Sequence, residues 1–290
     1  MKAVTVRAFA KINLSLRVKT KRADGFHEVQ TILQAIDLSD RLICERKRGP
    51  FQIACSAPGI PVDRTNLVWR AAERLWDAAG CDGEPRDTVI TLEKNIPIQA
   101  GLGGGSSDAA SALLALRRLW TLKVADEKLF AMAVGLGADV PYFFVGGTSL
   151  GLGRGDEVYP LADLARCWVV LILPPFGIPT AQAYEWLDLH RGRSPAAAEP
   201  RYLPHTWMGR IVPLVNDFEP PVIERHPVIG KLIGELTKLG AVMSAMSGSG
   251  STVFGIFMTS SAARRASRTL RRAGARTLMV RFLGRQDGRV

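Results

Sequence analysis

Hydrophobic and polar positions alternate with a period near two in VTVRAFAKINLSLRV, from Val4 to Val18, which predicts a strand with one buried face. DRLICERK and FQIACSA repeat the alternation and predict an antiparallel pair after it. The period lengthens in NLVWRAAERLWDAAG, from Asn66 to Gly80, where Leu67, Ala71, Leu75 and Ala78 share a helical face and Gly80 supplies the stop. TVITLEKNIP reads as a strand ended by Pro97, and helices are predicted from Ser106 to Trp120 and from Asp126 to Gly135. From about Ala162 a second alternation of strands and helices begins. CWVVLILPP is its first apolar strand, ERHPVIGKLIGELTKLG a helix, and AMSGSGSTVFGIF a glycine-and-serine turn entering a strand. HRGRSPAAAEPR, from His190 to Arg201, reads as a surface loop. Strands that precede helices without strict alternation predict an α+β fold of two layers and two lobes with a cleft between them, divided into 1–155 and 156–290.

Composition narrows the function classes. With 290 residues, 47% apolar and 22% charged, the chain can bury a large core as one big domain or two packed ones. It has no apolar run of membrane-spanning length, and its first residues lack the apolar core and small-residue cleavage site of a leader. A cytoplasmic location without membrane contact is expected. Cys44, Cys55, Cys81 and Cys167 are scattered, without a CxxC pair or a nearby histidine, so neither a protein-held metal site nor a disulfide framework is expected. The net charge of +11 admits an anionic partner, and much of the excess lies between Ala263 and Arg285. That stretch reads as an amphipathic helix with a solvated arginine face, followed by a strand. Its one aromatic, Phe282, lies beyond the helix, so the arginines carry no aromatic interleaving of the kind a single-strand platform uses, and a nucleic-acid partner is not expected.

One stretch demands a ligand. AGLGGGSSDAAS, from Ala100 to Ser111, sets four glycines directly before a helix start. Glycine there costs backbone entropy unless φ is positive or something large comes close. G-x-G-x-x-G fails because the third glycine falls on Ser106, and the P-loop pattern fails because no lysine follows. Ser106, Ser107 or Asp108 could each cap the helix, but capping does not explain Gly101, Gly103, Gly104 and Gly105 together. A cradle of N–H groups for a phosphate, at the positive end of a helix dipole, does.

PIQAGLGGGSS, from Pro97 to Ser107, resembles the nucleotide loop of the GHMP small-molecule kinases. FAKINLSL and MSGSGSTVFGIF are similar to that family's first and third motifs, in the same order, so the resemblance spans nearly the whole chain. KTKRADGFHEVQT, LGADVPYFF and VNDFE are similar to the branch that phosphorylates a cytidine diphospho-polyol in isoprenoid precursor synthesis. The first motif usually has proline before its alanine; here Phe9 stands in that place.

The resemblance implies the two-lobe GHMP fold, ATP as co-substrate accompanied by Mg2+, and a set of site residues. Asp139 matches the catalytic aspartate, which accepts the hydroxyl proton, and Lys11 the cation beside it. Pro97, Ile98, Gln99, Ala100, Gly101, Leu102, Gly103, Gly104, Gly105, Ser106 and Ser107 match the ATP loop, with Asn66 and Lys94 near the adenine. Asn13 matches a residue near the reacting hydroxyl. Phe26 and Tyr184 match aromatics on the two faces of a cytosine, and His27 the reader of its edge. Thr180 and Gly248 complete the expected substrate side. The other readings are a homoserine- or mevalonate-type kinase and an RNA-binding protein of related fold.

Overall fold

The N-terminal alternation extends well beyond the segment that signals it. β1 (Ala3–Lys21) and β2 (His27–Pro50) form one long antiparallel hairpin, with register shifts at Phe9/Ala10, Asn13/Ser15 and Val18/Lys21. The computed structural model describes residues 2–193 and 215–287. DRLICERK is absorbed into β2, so the expected pair with FQIACSA does not form. Instead β3 (Gln52–Cys55) runs parallel to β4 (Arg86–Glu93). Parallel neighbours need a crossover, and α1 (Leu67–Ala78), capped by Asn66, supplies it.

The chain continues through α2 (Gly104–Trp120), α3 (Asp126–Leu136), α4 (Tyr142–Val145), β5 (Thr148–Leu152) and β6 (Glu157–Pro160). The C-terminal part comprises β7 (Trp168–Ile172), α5 (Thr180–Arg193), α6 (Glu219–Arg225), α7 (Pro227–Lys238), β8 (Met243–Met246), β9 (Val253–Phe257), α8 (Ser260–Arg272) and β10 (Thr277–Arg281). The stretch read as one helix, ERHPVIGKLIGELTKLG, is interrupted at His226. Pro227 disfavours helical backbone in the residue before it, and His226 is accordingly non-helical at φ −129° and ψ 74°. Of the predicted loop from His190, residues up to 193 close α5, and 194–201 lie outside the described residues.

Two sheets result. One has the order β3-β4-β2-β5-β6 with β1 also paired to β2, and the other β10-β7-β9-β8. Helices α1, α2 and α3 pack Leu75, Leu113, Leu116 and Leu129 on the first sheet around Ile90 and Leu92. Helices α5 to α8 cover the second around Val170, Ile172 and Phe257. The β1–β2 hairpin serves both parts. Leu16, Val18 and Val29 enter the second core, while Ala10, Ile12 and Leu14 meet Val169, Leu171 and Phe254 between the sheets. Among the described residues no helix is long and apolar enough to cross a membrane. The four cysteines are free thiols, and burial pushes Cys44 up to about 12.

Candidate active site

The glycine loop runs from the end of β4 into α2, and its glycines have different reasons for being there. Gly101 adopts φ +74°, and a Cβ on it would lie 2.0 Å from the Ser247 carbonyl oxygen. Gly103 adopts φ +72°, with its Cβ position 2.8 Å from the Phe143 ring and 3.1 Å from the Lys11 side chain. These two are small because the loop is pressed against the first and third motifs. Gly104 is crowded by Ile96 at 3.0 Å, but a Cβ on Gly105 would meet nothing nearer than 4.0 Å. Gly105 therefore is not explained by packing inside the chain. It lines a cavity of about 700 Å³ together with Pro97 to Gly104 and Ser106, which leaves close approach by a ligand as its reason.

The expected caps do not form. Gly103 is the N-cap of α2, in the left-handed region, and no side chain bonds the first-turn N–H groups. Ser107 is buried and donates its hydroxyl to the Phe9 carbonyl oxygen at 2.7 Å, so of the two serines Ser106 is the one on the cavity wall. Phe9 itself sits at the β1 bulge, where the Arg7 guanidinium lies over its ring. A strand position with a bonded carbonyl thus replaces the proline turn. First-turn N–H groups free of side-chain caps, at the positive end of a 17-residue helix, suit an anion.

Residues far apart in sequence converge on the cavity. The Lys11 ammonium is buried and donates to Asn13 Oδ1 at 2.7 Å and to the Gly101 carbonyl at 3.2 Å, and it lies 3.4 Å from Asp139 Oδ2. Asp139, in the turn between α3 and α4, keeps 41% of its side chain exposed. Asn13 is fixed in turn: its amide donates to Thr31 Oγ1 at 2.8 Å, and its backbone N–H bonds Ser247 Oγ. Ser247 Oγ also donates to the Gly101 carbonyl at 2.9 Å, tying the third motif to the loop. Asn216, in VNDFE, bonds the Met246 and Gly248 carbonyls at 2.8 Å each and so holds the third motif in place. The sequence marks that segment without giving Asn216 a role; an asparagine beside an acidic turn is its only signal.

Lys94 and Asn66 line the cavity, yet both are committed to the fold. Asn66 caps α1 through Val68 N–H and donates to the Pro61 carbonyl. Lys94 is clasped between Asp40 and Asp108, at 2.6 Å from the latter. Asp40 also accepts the N–H groups of Asn95 and Ile96, which anchors the β4 exit. Burial alone would pull the Lys94 ammonium down, but Asp108 and Asp40 together hold it above its ordinary value. One ammonium cannot neutralise two buried carboxylates. The surplus falls on Asp108, whose Oδ1 has no partner; burial first, and Asp40 next to it, push its carboxyl up to about 7 against the pull of Lys94. Nothing local in the sequence marks Asp40, and Asp108 reads there only as a possible helix cap; the fold alone brings them to Lys94.

On the substrate side the expected residues are only partly gathered. Tyr184, Thr180 and Gly248 line the cavity, and Thr180 bonds Ser249 at 3.3 Å. The His27 and Tyr184 rings stack on each other at 4.9 Å, with Tyr184 edge-on to Phe218. His27 is buried and its Nε2 engages Asp188 Oδ1 at 2.9 Å, while Phe26 is 54% exposed beneath the Arg154 guanidinium. A sandwich of Phe26 and Tyr184 is therefore not assembled in this structure, because the His27 ring covers a face of Tyr184. Burial raises the Tyr184 hydroxyl to about 12, with the Asp139 charge adding to it, so the phenol stays protonated beside the carboxylate.

The GHMP kinases N terminal domain matches residues 66–147, and the GHMP kinases C terminal matches 204–276. A 4-diphosphocytidyl-2-C-methyl-D-erythritol kinase of Geotalea daltonii is 39% identical over 278 residues, covering 94% of this chain and 96% of the relative. That of Moorella thermoacetica is 37% identical over 289 residues, covering 98% and 100%. The chain belongs to the 4-diphosphocytidyl-2-C-methyl-D-erythritol kinase family. A crystal structure of a 4-(cytidine 5'-diphospho)-2C-methyl-D-erythritol kinase superposes with a TM-score of 0.76 at 35% identity, over 97% of this chain and all (100%) of the other. A homoserine kinase of Cytophaga hutchinsonii shares the fold, with a TM-score of 0.70 at 19% identity over 99% and 96% of the two chains. As a member of this kinase family within the GHMP fold, the chain is an ATP-dependent small-molecule kinase.

Proposed function

We propose that the protein transfers the terminal phosphoryl group of ATP to the 2-hydroxyl of 4-diphosphocytidyl-2-C-methyl-D-erythritol, a step of non-mevalonate isoprenoid precursor synthesis. The observation that carries the reading is the Lys11–Asp139 pair, 3.4 Å apart, facing the glycine loop across a single cavity. Asp139 accepts the proton of the attacking hydroxyl. Its half-exposed carboxylate leaves room for the alcohol, with the Lys11 ammonium beside it. Lys11 also offers positive charge where the alkoxide and the transferring phosphoryl group develop theirs, and its own burial makes that charge count for more. Asn13 and the Gly101 carbonyl hold the ammonium in one place, so the pair is oriented before the substrates arrive. Gly101 to Gly105 and the open first turn of α2 receive the phosphates. Tyr184, Phe26 and His27 form the cytosine side, with His27 moving off Tyr184 or presenting its free ring nitrogen to the base.

Among the described residues no group of three His, Cys, Asp or Glu could hold a metal ion. The oxygen donors on the wall nevertheless suit Mg2+ carried by the nucleotide, with Asp139 and Ser106 as the chain's contributions beside phosphate and water. When bound, the ion neutralises phosphate charge. A cytoplasmic location and a lobe division into 1–155 and 156–290 belong to the same reading.

The test is ADP release with ATP and Mg2+, offering the cytidylyl substrate beside homoserine and mevalonate. Turnover with the cytidylyl substrate alone is expected. Turnover with another alcohol would keep the kinase and discard the cytosine side; no turnover with any would refute the proposal.

A further inference from the structure

The C-terminal part carries a charged surface that phosphoryl transfer does not use. Helix α8 buries Ala263, Ala266, Ser267 and Leu270 and exposes Arg264, Arg265, Arg268, Arg271 and Arg272. Between Glu235 and Asp287 the sequence contains no acidic residue. Among the described residues, Arg264, Arg265, Arg268 and Arg272 make neither a hydrogen bond nor an ion pair. Arg271 is held at the rim by its bonds to Thr277 Oγ1 at 2.8 Å and to the Thr277 carbonyl at 2.9 Å. Arg264, Arg268, Arg271 and Arg272 line one groove of about 460 Å³ between α8 and Met279 of β10. It shares no residue with the catalytic cavity.

Like charges crowded into a groove repel one another, and among the described residues no carboxylate pairs with these four. What fits is a ligand whose own charges are closely and regularly spaced. Arginines one helical turn apart have Cβ atoms roughly 5–6 Å from one another, and their guanidinium forks match phosphate oxygens. The 13-residue helix is about 20 Å long, long enough to face several consecutive phosphates of one strand. The other exposed positions on the helix are Ser261 and Thr269, with Ala273 at its end, so the face has no large apolar side chain to enter a bilayer. It also lacks aromatics for stacking bases, which leaves the sugar-phosphate backbone as the feature recognised.

We propose that the outer face of α8 binds the phosphate backbone of a nucleic-acid duplex, without reading its sequence. The inference stands apart from the kinase reading and departs from the expectation of no nucleic-acid partner.

The experiment is fluorescence anisotropy of the full-length protein with labelled 20-base-pair RNA and DNA duplexes of one sequence, between 50 and 200 mM KCl. Four to five neutralised phosphates give a slope of about −4 in log K against log salt, or about 250-fold weaker binding across that range. The triple variant Arg264→Gln, Arg268→Gln, Arg272→Gln should lower the slope by about 3 while leaving kinase turnover unchanged. Arg271 is left intact because of its bonds to Thr277. The proposal is overturned if the variant binds like the parent, if ATP competes the duplex away, or if polyphosphate or anionic vesicles are bound more tightly than either duplex.

Discussion

Replacing Lys94 by Met tests whether the buried clasp sets the nucleotide loop. Methionine nearly matches the lysine stem in volume, so the change removes charge with little cavity. Asp40 is 0% and Asp108 3% exposed, and the substitution leaves both without their cation. Breaking a buried pair in this way costs about 3–5 kcal/mol, a large share of the roughly 5–15 kcal/mol that holds a domain folded. Asp40 retains the N–H groups of Asn95 and Ile96 around its charge; Asp108, with Oδ1 already unpartnered, takes up a proton. The pH dependence follows from that proton. In the parent, the Asp108 carboxyl titrates at about 7 when folded against an ordinary value of 3.8, so the native state binds more protons between those values. This group's contribution to stability therefore declines as pH rises through that window and is level above it. Without Lys94 the folded carboxyl titrates higher still, so the decline continues and the variant's deficit grows from pH 6 to pH 8. Urea unfolding followed by fluorescence of the 6 tryptophans measures it. With m near 3 kcal/mol/M, the midpoint should fall by about 1–1.7 M at pH 8 and by less at pH 6. Adding Asp108→Asn should recover much of the loss, since it removes the carboxylate with no partner. A deficit under about 1 kcal/mol, or one independent of pH, would refute the clasp.

Asp139→Asn should lower kcat by about 10²–10⁴-fold while ATP still binds, measured by single-turnover kinetics and calorimetry; near-parental turnover would defeat the base assignment. Lys11→Met should cost about 10²–10³-fold in kcat, without the gain in KM for the cytidylyl substrate that a purely structural lysine would give. Gly101→Ala places a methyl 2.0 Å from the Ser247 carbonyl at φ +74°, so ATP affinity and thermal stability should fall together. His27→Ala should weaken the cytidylyl substrate far more than ATP; equal losses would mean that its stack on Tyr184 and its bond to Asp188 serve the fold alone.

Short-range chemistry was legible from the chain: the alternation of β1, the amphipathic α1 and α8, and a loop with more glycines than a turn requires. Such features depend on side-chain period and backbone freedom, which neighbours along the sequence fix between them. Pairings were not legible. FQIACSA alternates equally well for a parallel or an antiparallel partner, and only the α1 crossover decides for β4. The reasons for the individual glycines were also tertiary: Gly101 and Gly103 are small because Ser247, Phe143 and Lys11 lie against them, and Gly105 because the cavity does. Lys11 and Asp139 could be named from motifs 128 positions apart, but their 3.4 Å approach arises from the fold, which bonds β1 to the loop through Lys11 N–H and the Leu102 carbonyl and brings the α3–α4 turn to the same lysine. Lys94 shows the limit most clearly. The family resemblance implies a nucleotide contact for it, and the fold adds a role no motif carries: burial between Asp40 and Asp108 makes it their counter-charge, because a carboxylate removed from water must find its cation wherever the fold supplies one.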